Sequence, residues 1–170
     1  MARRIVVSLA ALGASLAPLG MQVGQAAPAT PNGVDCVISG TAHLSPGVTT
    51  KAQAVTYTFT GSLTNCKDNT LKIKSGTVTA SGSSGNLTCA KGNTVGTGSV
   101  TWNTGQVTNV SFTTTGAGSA LVVKGTVTSG LWAGGTVTGA LNFITAAATD
   151  CTKGGLSTLP FKGDIGTGIL

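Results

Sequence analysis

The side chains that could perform acid–base chemistry in this chain are few. Only 8% of its 170 residues are charged, no Glu occurs, and the single His is His43. The four acids are all aspartates, at Asp35, Asp68, Asp150 and Asp164. A hydrolase would have to combine His43 with one of them, or use two carboxyl groups as glycosidases do. No local spacing links His43 to an acid, so we expect a surface histidine, no catalytic residues and a protein that is not an enzyme.

Metal, cofactor and nucleic-acid sites have little support in the residue types present. The cysteine spacings contain no C-x-x-C pair, and the Asp68-Asn69 loop offers few oxygen ligands for calcium. The glycine clusters at 82–85 and 92–96 lack the Lys-Ser/Thr ending of a phosphate loop. Arginine occurs only at positions 3 and 4, and no basic–aromatic patches appear. We therefore expect no metal, no cofactor and no nucleic-acid partner.

The residue with the clearest binding potential is Trp132, in the glycine-rich segment Gly130 to Gly135. A large ring in a hairpin turn is costly unless it packs or binds. It could close an open end of the fold, or it could offer an exposed face to a sugar ring or a partner protein. Trp102 alternates with Val100 and is expected to line the interior. Trp132 and Trp102 are therefore the candidate ligand-binding residues.

The N-terminus has the pattern of a secretory signal peptide. A basic start at Arg3-Arg4 precedes an uncharged apolar run over residues 5–19, and Gly24-Gln25-Ala26 offers small residues at a cleavage site. The run is shorter than the roughly 18 residues that a membrane span needs. We expect a signal peptide over 1–26 and one secreted, extracellular domain over 27–170, with no membrane span after cleavage. That domain carries eight Lys and four Asp, a net charge of +4.

Four cysteines in an exported chain predict two disulfides. A hairpin turning near Lys51 would bring Cys36 next to Cys66, which leaves Cys89 to pair with Cys151. The in–out alternation is off by one between the two strands of that hairpin. A β-bulge, or a bridge just past the strand ends, would absorb this difference.

The chain after residue 30 alternates apolar and polar residues with the period of half-buried strands. One face is predicted to hold Val55, Tyr57, Phe59, Gly61 and Leu63, while the threonines between them face outward. Residues 121–127 and 137–143 repeat the pattern. Glycines at inward positions 61, 125 and 139 fit strongly curved strands or close backbone approach.

We predict an all-β fold, a single antiparallel domain of about nine strands joined mainly by short turns. The strands are expected at 34–44, 53–65, 71–81, 85–90, 96–103, 106–115, 119–129, 134–145 and 155–165. Long strands in sequential hairpins favour a meander β-barrel. The alternative is a two-sheet β-sandwich, in which a Cys89–Cys151 bridge is easier to form.

The chain resembles a group of small secreted actinobacterial proteins of unassigned function. The similarity lies in QAAPAT at the end of the signal, YTFTGSLTNC (57–66), VTSGLWAGGTVTGAL (127–141), and Cys151 followed by GGLSTLPFKG (154–163). This resemblance implies secretion and an all-β fold, and it supplies no catalytic residues.

These features predict a secreted, non-catalytic β-domain that binds a glycan, a cell-wall polymer or a small ligand. The partner is not identified by the sequence. The alternative is an extracellular protein-interaction factor, such as an inhibitor, a toxin or an envelope component, acting through a disulfide-braced loop between Cys66 and Cys89. A hydrolase using His43 or two aspartates is the third hypothesis.

Overall fold

The structure, a computed structural model, describes residues 33–68, 72–143, 150–153 and 155–169. The predicted signal peptide and residues 145–148 lie outside this part of the chain. Eight antiparallel strands form a single closed β-barrel in sequence order. The elements are β1 (Gly33–Val48), β2 (Gln53–Asp68), β3 (Gly76–Leu87), β4 (Lys91–Trp102), β5 (Val107–Ala117), β6 (Ala120–Ser129), β7 (Thr136–Phe143), the one-turn helix α1 (Asp150–Lys153) and β8 (Leu156–Gly168).

The barrel closes because β1 pairs with both β2 and β8. The β1–β8 ladder runs from Gly33 opposite Gly168 to His43 opposite Thr158. Every strand therefore has two hydrogen-bonded neighbours, and no edge is left open. The predicted meander barrel is confirmed, and the sandwich alternative is wrong.

Alternation along each strand divides the barrel into an apolar interior and a polar exterior. In β2, Val55 and Leu63 are buried, while Thr56, Thr58 and Thr60 are exposed, as predicted. The same assignment of faces holds in β6 and β7. Branched threonine side chains suit this outer surface because they fit the pleat while their hydroxyls stay hydrated.

The predicted nine strands are eight in the structure. The expected strands at 71–81 and 85–90 are replaced by the single strand β3, and the chain turns at 88–90 instead of at the Gly82–Gly85 cluster. Gly82 is an inward strand position, where a Cβ atom would lie 2.6 Å from the Tyr57 hydroxyl oxygen and 2.8 Å from the Gly96 Cα. The glycine marks a close contact within the sheet, and a turn was the wrong interpretation of it.

Both predicted disulfides are present. Cys36–Cys66 joins β1 to β2 across a bulge, where Asn65 and Cys66 stand opposite the single residue Cys36. Of the two predicted ways to absorb the mismatch in alternation, a bulge and a bridge past the strand ends, the bulge is observed. Cys89–Cys151 ties the turn between β3 and β4 to α1.

The two ends of the barrel differ in how they are covered. We call the end with turns 49–52, 88–90 and 118–119 the Cys89 end, and the end with turns 103–106 and 130–135 the Trp132 end. The Trp132 end is packed with apolar side chains, including Ile73, which is fully buried, and Trp132, which is 7% exposed. The Cys89 end carries the Cys89–Cys151 bridge.

The inward glycines give a first testable prediction. A Cβ atom on Gly96 would lie 2.5 Å from the Tyr57 hydroxyl oxygen and 2.6 Å from the Ser81 carbonyl oxygen. We expect Gly96→Ala to lower the free energy of unfolding by about 1–3 kcal/mol, the usual effect of overpacking. Urea unfolding followed by fluorescence measures this.

The matched control is Gly85→Ala, because a Cβ atom there meets nothing within 4 Å. This variant should stay within about 0.5 kcal/mol of the parent. Equal stability of the two variants would contradict the steric role given to Gly96.

Candidate binding site inside the barrel

The main cavity of the described residues lies inside the barrel and has a volume of about 170 Å³. Its lining extends from Trp102 near the Trp132 end to Leu87 near the Cys89 end. No charged side chain contributes to the lining. Six aromatic residues do: Tyr57, Phe59, Trp102, Phe112, Phe143 and Phe161.

Glycines on the same strand or on a neighbouring strand make room for these rings. The Phe59 ring lies against Gly40 and Gly61, whose added Cβ atoms would come within 2.7 and 2.9 Å of the ring. The Phe112 ring lies against Gly96 on β4, where an added Cβ would come within 3.0 Å of it. On the other side, a Cβ on Gly125 would lie 2.8 Å from the Phe112 Cβ. Close approach at inward Gly61 and Gly125 was predicted and is confirmed.

Aromatic contacts hold the lining together. Phe161 packs edge-on against Phe59 with ring centroids 6.2 Å apart, and at 4.6 Å against Phe143. Such geometries add stabilisation beyond the apolar area that the rings bury. Phe59, Phe161 and Phe143 therefore form a connected aromatic part of the wall.

Trp102 and Trp132 close one end of the cavity together. Their rings meet edge-to-face, with centroids 5.5 Å apart and planes at 87°. Trp102 Nε1 donates a hydrogen bond to Thr108 Oγ1 at 2.9 Å, and Thr108 Oγ1 donates to the Leu131 carbonyl oxygen at 3.4 Å. These bonds attach the Trp132 turn to strands β4 and β5.

Trp132 is packed and offers no open face to solvent. Its φ angle is 59°, a left-handed conformation that bulky residues rarely adopt and that tertiary packing must hold. Of the two interpretations from the sequence, the ring that closes an end of the barrel is the one observed. Trp102 lines the cavity. Trp132 is not part of the lining and packs against the Trp102 ring.

The Cys89 end holds further space beside the cavity. A second cavity of about 70 Å³ lies there, beside Cys89 and Lys91. The two cavities adjoin through five shared lining residues, Leu87, Thr94, Leu121, Phe143 and Leu159. A molecule entering from this end would pass the disulfide and then these side chains.

The polar side chains of the lining are the hydroxyls of Tyr57 and of four threonines, Thr94, Thr108, Thr114 and Thr167. Three of them are joined to one another by hydrogen bonds. Thr94 Oγ1 donates to the Tyr57 hydroxyl oxygen at 3.2 Å, and the Thr94 and Thr114 hydroxyls are 2.8 Å apart. The sequence did not identify Thr94 and Thr114 as cavity residues. The glycines around Thr94 predicted a loop there. The alternation of Thr114 with Phe112 was the signal that could have placed it inside.

The other residues with potential chemistry do not line the cavity. Asp35, opposite Gly166, and Asp164, opposite Val37, are diagonal neighbours on the exposed face of β1 and β8, away from His43. His43 is exposed on β1, while Asp164 stands opposite Val37, six residues or about 20 Å along the ladder. Asp68 accepts a hydrogen bond from the Ile73 amide at 3.1 Å, which is the turn role expected of it. Among the described residues, no three His, Cys, Asp or Glu side chains form a metal-binding group.

The disulfide-braced loop expected between Cys66 and Cys89 is wrong as a description of this segment. Most of it is strand β3, which is built into the barrel wall. Within the ranges that the structure describes, no helix is long and apolar enough to span a membrane.

The fold and the site define a disulfide-stabilised, eight-stranded β-barrel with an apolar interior cavity. No family model, curated protein or solved structure shows significant similarity to this chain.

The environment of Tyr57, the single tyrosine in the chain, gives a prediction about pH. Burial raises the pKa of its phenol above the ordinary 10.0, and the hydrogen bond from Thr94 opposes this in part. The unfolded chain therefore releases this proton at a lower pH than the folded barrel does. Stability from this group is complete below pH 10 and is lost as pH rises through the folded pKa.

Two measurements check this. Phenolate absorbance of the folded protein should titrate with a midpoint above 10, and urea midpoints should fall more steeply with alkaline pH than those of Tyr57→Phe. Lysine ionisation is common to both proteins and cancels in the comparison. An unshifted absorbance midpoint would contradict the burial of the phenol.

Proposed function

We propose that this protein is a secreted, non-catalytic binding protein that holds a small apolar molecule inside its barrel. The observation that carries the proposal is the 170 Å³ cavity with its six aromatic rings. An apolar molecule gains free energy by leaving water for such a space, and it loses little dispersion contact there. Rigid, hydrogen-bonded walls keep the space open between binding events.

The cavity volume sets the ligand size. An apolar cavity of about 150 Å³ in another protein holds a benzene molecule, whereas pockets for drug-sized ligands span about 300–1,000 Å³. A cavity of about 170 Å³ therefore suits a molecule of about one six-membered ring. Branched or short-chain molecules of the same volume are equivalent by this criterion.

A small ligand is the form of the binding hypothesis that the geometry supports best. A glycan or cell-wall polymer does not fit the interior, and the stacking face expected on Trp132 is packed against Trp102. The protein-interaction hypothesis depended on an exposed loop, whose sequence is mostly β3.

Filling the cavity tests the proposal. Ala80 lines the cavity from β3, so Ala80→Leu places three more carbon atoms in the ligand space. We expect toluene to raise the melting temperature of the parent protein and to have at least about tenfold lower affinity for Ala80→Leu, because the variant removes the volume it needs. Thermal unfolding at increasing toluene concentration and headspace measurement of bound toluene report the two effects.

The matched control is Thr79→Leu, one residue away on the exposed outer face of the same strand. It should bind toluene as the parent does. Equal binding by all three proteins would locate toluene outside the barrel, and absence of binding to the parent would refute the proposed function.

Secretion is the second part of the proposal. Two disulfides fit an extracellular protein, since cytosolic thiols are kept reduced. The sequence of residues 1–26 supplies the export signal.

Expression of the full chain in a bacterial secretion host should yield a protein in the medium that begins at Ala27. Its intact mass should be lower by four hydrogens than that of the reduced chain. N-terminal sequencing and mass spectrometry check both points. A cell-associated product that keeps residues 1–26 would contradict cleavage.

A further inference from the structure

The hydroxyls of Tyr57, Thr94 and Thr114 form a chain inside the apolar cavity. Thr94 donates to Tyr57 at 3.2 Å, and the Thr94–Thr114 separation of 2.8 Å is a second hydrogen bond. All three residues line the cavity, in which no charged side chain is present. Polar groups buried in an apolar site usually fix the orientation of a ligand.

The three hydroxyl groups carry one more proton than their two hydrogen bonds use. The only hydroxyl proton of Thr94 goes to the Tyr57 oxygen, so Thr114 must donate to Thr94. Three hydroxyl protons thus serve two hydrogen bonds. The proton left over is that of Tyr57, whose hydroxyl accepts from Thr94 and donates in none of the hydrogen bonds found among the described residues.

We propose that the Tyr57 hydroxyl recognises its ligand by donating a hydrogen bond to a carbonyl or ether oxygen on a small, neutral, otherwise apolar ring. This inference rests on the proposed function, because it assumes that the ligand occupies the barrel. It adds the chemical class: a cyclic ketone or similar molecule, in place of any hydrocarbon of the right size.

Two further observations support a neutral acceptor. The lining contains no charged side chain that could compensate a carboxylate or an ammonium group, and burying either without a partner is strongly unfavourable. Burial also raises the pKa of Tyr57, which keeps its proton in place at neutral and mildly alkaline pH. The phenol is thus a permanent donor, and Thr94 and Thr114 orient it.

The test uses two ligands of equal size, cyclohexanone and methylenecyclohexane, which differ by replacement of the carbonyl oxygen with CH₂. Headspace measurement gives the affinity of each for the folded parent protein and for Tyr57→Phe. We expect Tyr57→Phe to weaken cyclohexanone binding about tenfold, the effect of one lost hydrogen bond, and to leave methylenecyclohexane binding unchanged. Far-ultraviolet circular dichroism verifies that the variant keeps the barrel.

A second variant, Thr94→Val, removes the group that orients the phenol and keeps the phenol itself. Its affinity for cyclohexanone should lie between those of the parent and Tyr57→Phe, again with no change for the hydrocarbon. This intermediate effect separates hydrogen bonding from a loss of packing at Tyr57.

The outcomes distinguish the two proposals. If methylenecyclohexane binds and cyclohexanone is insensitive to Tyr57→Phe, the hydroxyl is not the recognition group, although the cavity still binds ligands. An equal loss for both ligands would assign Tyr57 a packing role only. If neither ligand binds the parent protein, the proposed function fails and this inference fails with it.

Discussion

The pairing of β1 with β8 is the interaction on which the rest of the structure depends. It joins the first and last strands of the barrel over most of their length, from Gly33 to His43 on β1. Without it, β1 and β8 would each present unpaired backbone groups, and the apolar face of the sheet would be open to water. Once it forms, alternate residues of all eight strands must face one enclosed interior. The cavity is therefore a consequence of closure together with the side chains at those inward positions.

Side-chain size at inward positions decides whether the interior is filled or hollow. An eight-stranded barrel has an interior just wide enough for its side chains to fill or for one small ligand. Here the Phe59 ring packs against Gly40 on β1 and against Gly61 on its own strand β2. It occupies space beside the backbone that a Cβ atom at either glycine would need. The ring therefore stays near the wall, and volume remains at the centre.

The sequence predicted the barrel correctly, but it identified only some of the residues that line the cavity. The strict alternation around Tyr57 and Phe59 identified the inward face of β2. The mismatch in alternation at Cys36 and Cys66 predicted either a bulge or a bridge past the strand ends, and the bulge is the one present. The glycine clusters predicted turns where strands continue, because a glycine that relieves crowding inside a sheet has the same local sequence as one in a turn. Only the position of the neighbouring strand distinguishes the two cases, and that position is non-local information.

The same ambiguity explains why the sequence did not indicate the hydrogen-bonded hydroxyls of Tyr57, Thr94 and Thr114. Tyr57 belongs to β2, whereas its partner Thr94 belongs to β4, so the phenol must cross the intervening strand β3. It crosses at Gly82, where an added Cβ would lie 2.6 Å from the phenol oxygen. Any larger residue there would separate Tyr57 from Thr94. The glycine that resembled a turn is thus the residue that permits a polar contact between strands that do not pair, and the strand and the site could be recognised only together.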